Sequence, residues 1–105
     1  MPVSSKVIES LTRSIVEAVH PLKIILFGSH AQGKANPDSD IDVLVVMPEG
    51  AHCRRTTQLL YRQIKGLGVP FDILVATPSD LEKHKDNIGL IYRTVLQQGK
   101  EIYAA

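Results

Sequence analysis

The chain has 105 residues, 44% hydrophobic and 22% charged, a balance that excludes a disordered segment and leaves room for a single domain, residues 1–105, rather than two. A formal net charge of +1 lacks the basic excess of a nonspecific nucleic-acid binder, so no direct nucleic-acid binding is expected. One cysteine, Cys53, excludes an intrachain disulfide framework and a cysteine-built zinc site.

Residues 1–6 carry no apolar secretory core, and no apolar run approaches membrane-spanning length, so the expected location is the cytoplasm with no membrane partner. Residues 5–20 predict a helix: Val7, Leu11, Ile15 and Val19 recur every four positions, and Ile8 and Ala18 widen the stripe. Ser4 or Ser5 can cap its start, and Pro21 ends it. Residues 22–27 are apolar except for Lys23 and run into Gly28, which predicts a buried strand. Residues 41–47, rich in valine, predict a second strand, closed by Pro48, Glu49 and Gly50. A helix over 51–65 follows, with Leu60, Ile64 and Leu67 on one side and Gly66 and Gly68 as the stop. Residues 69–76 predict a third strand. Thr77, Pro78 and Asp80 then have the pattern of a helix start. Asp86 caps a last predicted helix carrying Ile88, Ile91, Val95 and Leu96, which Gly99 ends. Helices packed on a small sheet follow from this order, an α/β or α+β class. The small core and the apolar helix stripes favour a partner surface, a homo-oligomer included.

Two segments carry chemistry. Gly28 and Ser29 close the first strand. The glycine lets the backbone turn sharply and approach a ligand. If a short helix begins at Ser29, its unpaired N–H groups favour an anion, and a triphosphate is the natural occupant. The second segment is Ser39-Asp40-Ile41-Asp42-Val43-Leu44. Strand alternation turns Asp40 and Asp42 to one face and Ile41 and Val43 to the other. Two carboxylates on one face repel, and a divalent cation between them removes that cost; magnesium suits a few carboxylates plus substrate phosphates. The alternative is a solvated strand end with Asp40 as a turn residue. Asp72, inside the otherwise apolar Phe71-Asp72-Ile73-Leu74-Val75, adds a third acid. If the third strand neighbours the second, Asp72 can join the other two, and three converging carboxylates suit a two-metal site.

Gly28-Ser29, ten residues, then Asp40-Ile41-Asp42 resembles the defining motif of the polymerase-β-type nucleotidyltransferase superfamily. Residues 26–33 and 39–46 are similar to its minimal nucleotidyltransferase members, often encoded beside a helical HEPN-domain partner. Residues 69–75 match the family's third-carboxylate strand, and the resemblance spans most of the chain. It implies a small mixed sheet of about three strands flanked by helices. It also implies transfer of a nucleoside monophosphate from ATP or another triphosphate, with two Mg2+ ions. Gly28 and Ser29 would hold the β- and γ-phosphates. Asp40 and Asp42 would bind both ions. Asp72 would bind the catalytic ion and help deprotonate the acceptor hydroxyl. Many relatives carry a basic residue where Gln32 stands, and Lys34 is the nearby cation here.

Three readings follow from the resemblance. The first is an antitoxin that adenylylates a HEPN toxin, on a tyrosine. The second is a binding module that neutralises its partner by contact alone. The third is a small-molecule nucleotidyltransferase, against which the absence of an acceptor-gripping domain weighs. Cys53 and the four histidines receive no catalytic role, and Tyr61, Tyr92 and Tyr103 are expected in packing.

Overall fold

Apolar periodicity drives the layering in the computed structural model, which describes residues 5–28, 31, 40–84 and 99–105. Helix α1 (Ser5–Val19) leads into strands β1 (Lys23–Phe27) and β2 (Ile41–Val46). Helix α2 (Cys53–Gln63), strand β3 (Phe71–Ala76), helix α3 (Pro78–His84) and strand β4 (Lys100–Ala104) follow. The sheet has the order β3-β2-β1-β4. β1 pairs antiparallel with both β2 and β4, while β2 and β3 run parallel around α2, so the sheet is mixed.

Alternation along each strand separates two apolar layers. Ile24, Leu26, Ile41, Val43, Val45 and Ile73 share one face with Leu11 and Ile15 of α1 and Leu60 of α2. Ile25, Phe27, Leu44, Val46 and Ala76 share the other, with Leu74 and Leu81 packed against them. The four-residue stripe read in α1 is the buried one: Leu11 and Ile15 are fully enclosed. β2 is covered on both faces, hence its continuous run of valine and leucine.

Among the described residues the sheet has four strands where about three were expected. β4 escapes sequence reading because its five residues carry only Ile102 and Tyr103 as half-buried apolar side chains. Its place comes from non-local pairing with β1, through a bulge between Ile24 and Ile25. A Lys23–Glu101 ion pair at 3.1 Å decorates that edge; both side chains are about half exposed, so it contributes little. The predicted last helix, capped by Asp86, lies outside the described residues.

Helix ends also differ locally. α2 is shorter than the expected 51–65: His52 caps it, its Nδ1 accepting from the Arg55 N–H at 3.2 Å, and Ile64 is already extended at the other end. The glycines read as its stop therefore lie beyond its end. α1 stops at Val19, and His20 takes a left-handed φ of +49° ahead of Pro21. At α3 the expected start is a reciprocal capping box. Thr77 N–H donates to Asp80 Oδ2 at 3.0 Å, and Asp80 N–H donates to Thr77 Oγ1 at 3.3 Å. Thr77→Ala is expected to lower stability by about 1 kcal/mol, read from the urea midpoint.

Candidate active site

The C-terminal end of β1 and the N-terminal ends of β2 and β3 lie at one edge of the sheet, because β1 runs opposite to the other two. Register places Phe27 opposite Asp42, and Asp42 opposite Asp72. Asp42 thus stands on the inner strand between them. Asp42 and Asp72 fall on the alternation face of Leu44 and Leu74, away from α1 and α2. Backbones of adjacent strands run about 4.8 Å apart, so the two residues stand side by side on one face. Folding here brings together two acids separated by thirty positions.

Burial grades along this edge. Asp42 is half-buried, while Asp72 and Asp40 are exposed, and Asp40 lies just ahead of β2 rather than within it. The Ile41 N–H donates to the Pro70 carbonyl at 3.0 Å, holding the starts of β2 and β3 together. Among the described residues, no group of three His, Cys, Asp or Glu side chains is gathered as a metal-holding set. The expected convergence of Asp40 with the other two acids is therefore not drawn tight. An Asp42–Asp72 pair nonetheless suits magnesium, which takes one or two carboxylates and fills its remaining positions with phosphate oxygens and water.

Gly28 completes this edge. Its φ is +74°, in the left-handed region, and its carbonyl accepts from the Ala31 N–H at 3.1 Å, closing a tight turn. A Cβ at this position would collide with Oδ2 of Asp42 and sit 3.3 Å from its carboxyl carbon. The glycine expected for close approach to a ligand has a second reason to be glycine: it passes directly over the carboxylate. Ser29, the other expected phosphate contact, lies outside the described residues, as do Gln32 and Lys34.

The model of the nucleotidyltransferase domain family matches residues 8–101. The chain belongs to that family. No curated protein matches it. Solved structures share the fold of this nucleotidyltransferase domain. A protein from Sulfolobus solfataricus, assigned as a candidate nucleotidyltransferase, superposes with a TM-score of 0.63 at 20% identity, over 94% of this chain and 78% of its own. A toxin–antitoxin structure with AMP-PNP gives 0.59 at 23% identity, over 98% and 75%. A toxin–antitoxin MntA–HpeT mutant gives 0.58 at 20% identity, with the same coverages of 98% and 75%.

Other features of this nucleotidyltransferase domain stand apart from the acidic edge. Burial and the nearby Asp80 carboxylate push the Cys53 thiol above its ordinary pKa, which disfavours the reactive thiolate. A groove of about 780 Å³ opens on the helix-bearing face, between α1 and β4. Leu26, Ile102 and Tyr103 line it, and none of the three acids does. Among the described residues no helix is long and apolar enough to cross a membrane. Tyr61, expected in packing, meets the strand carrying Asp72: its ring stacks on Phe71 and its hydroxyl accepts from the Ile73 N–H. No periodicity reports such a contact, since it depends on how α2 crosses the sheet edge.

Proposed function

We propose that this nucleotidyltransferase domain is a magnesium-dependent protein adenylyltransferase. It moves AMP from ATP to a tyrosine hydroxyl of a helical HEPN-type toxin and thereby acts as an antitoxin. The observation that carries the chemical part is the in-register Asp42–Asp72 pair beside a glycine turn, at one sheet edge of a nucleotidyltransferase-family chain. The protein acceptor is supported by fold likeness to toxin–antitoxin structures, one of them with AMP-PNP.

Asp42 and Asp72, with Asp40 at the mouth, would hold two Mg2+ ions. When bound, the ions supply neutralisation of triphosphate charge and acidify the acceptor hydroxyl. Gly28 and Ser29 would hold the β- and γ-phosphates. With no Cβ, Gly28 leaves the phosphates close to Asp42. The exposed Asp72 takes the proton of the acceptor hydroxyl as that oxygen attacks the α-phosphorus in line. The new bond joins the acceptor oxygen to the α-phosphorus. The bond from that phosphorus to the bridging oxygen breaks, and pyrophosphate leaves. The chain contributes mainly position and preorganised charge.

The test uses ATP labelled at the α-phosphate, with magnesium, in extract from the source cells. Label is expected on a discrete protein band, dependent on the intact acids and abolished by chelator or by Asp40→Asn/Asp42→Asn. A co-purifying partner that is neutralised without label transfer would favour the binding module, and label on a small molecule would move the acceptor class.

A further inference from the structure

Among the described residues β3 is an edge strand, with β2 on one side only. The carbonyls of Pro70 and Ala76 accept from the Ile41 and Met47 N–H groups, so even-numbered residues of this strand bond toward β2. In a parallel ladder the odd-numbered residues then turn their backbone groups outward. The N–H of Ile73 is one of these, and it donates to the hydroxyl of Tyr61 at 2.8 Å. The Tyr61 ring stacks on Phe71, with centroids 5.5 Å apart and planes 11° from parallel.

Tyr61 thus grips the two residues that flank Asp72. Phe71 and Ile73 face the helix layer from which Tyr61 reaches, while Asp72 faces the other side. Tyr61 is 42% exposed, so core packing does not account for its aromatic ring. Edge strands without such a brace open readily. We propose that Tyr61 is a positioning residue for Asp72: it fixes the outer edge of β3 so that the exposed carboxylate stays beside Asp42. The proposal rests on the reading of Asp72 as a metal-binding carboxylate. Tyr61 acts through the backbone on that carboxylate, in the manner of residues that orient metal ligands.

The experiment measures Mn2+ binding to the purified protein with AMP-PNP, by electron paramagnetic resonance. Tyr61→Phe, Tyr61→Leu, Asp72→Asn and the Tyr61→Phe/Asp72→Asn double variant are compared. Tyr61→Phe keeps the ring and removes only the hydroxyl. Its expected effects are faster hydrogen exchange at the Ile73 amide and weaker Mn2+ binding, severalfold, rising to about tenfold in Tyr61→Leu. The double variant should bind no more weakly than Asp72→Asn alone, because the brace has nothing left to position. Wild-type Mn2+ affinity in both Tyr61 variants, alongside a loss in Asp72→Asn, would overturn the positioning role and leave the metal site standing. Additive losses in the double variant would also overturn it, assigning Tyr61 to general stability. Wild-type affinity in Asp72→Asn would instead remove Asp72 from the metal site, and the proposal with it.

Discussion

Asp42→Asn is expected to lower nucleotidyl transfer by at least about a thousandfold while leaving the fold in place. Asp42 sits on β2, an inner strand, and is the only residue of that strand that is not buried. Register sets it directly beside Asp72, and the Gly28 turn passes over its carboxylate. Asparagine has the same shape, so the strand and the turn can persist. It lacks the charge, however, and an amide is a poor ligand for a hard dication. Stability in chelator should stay within about 1 kcal/mol of the unsubstituted protein, since removing one of two adjacent negative charges offsets much of what the substitution costs. Transfer to the labelled acceptor and a denaturant titration check the two halves separately. Full activity in a folded Asp42→Asn protein would remove this carboxylate from the chemistry.

Gly28→Ala is the second substitution with a large expected effect, and it strikes both stability and transfer. An L-residue at φ +74° carries about 1–2 kcal/mol of left-handed strain. The added Cβ also meets the Asp42 carboxylate, whose displacement adds a further overpacking cost of about 1–3 kcal/mol. A loss of about 2–5 kcal/mol in the urea-derived stability is expected. Gly50→Ala is the control: φ there is +89°, but a Cβ would meet nothing within 4 Å. It should show the strain alone. Equal losses at both positions would mean that the carboxylate moves aside freely. In that case Gly28→Ala should also retain Mn2+ binding.

Much of the layering was legible from single segments. Helix α1 follows from the spacing of Leu11 and Ile15, strand β1 from a short apolar run, and β2 from an unbroken valine-rich stretch. The capping residues of α3 were legible because a capping box is a local exchange between a side chain and a backbone three residues apart. Strand β4 was not, because its apolar content is too small to announce a strand and its hydrogen-bond partner lies more than seventy residues earlier.

At the acidic edge the division is the same. Visible in the residues alone are two aspartates, Asp42 and Asp72, inside strand-forming apolar segments, a third, Asp40, just ahead of one, and a glycine that ends the first strand. These are anomalies whose cost is visible without coordinates, since a carboxylate in an apolar strand needs a reason to be there. Packing between segments sets β3 parallel beside β2 in the register that pairs Asp42 with Asp72. It also decides that Asp40 stays ahead of the strand, that Gly28 lies against Asp42, and that Tyr61 holds the far side of β3. Periodicity reports which way a side chain faces along its own segment. Register, strand order and the crossing of α2 over the sheet edge are set by packing between segments, and no local pattern encodes them.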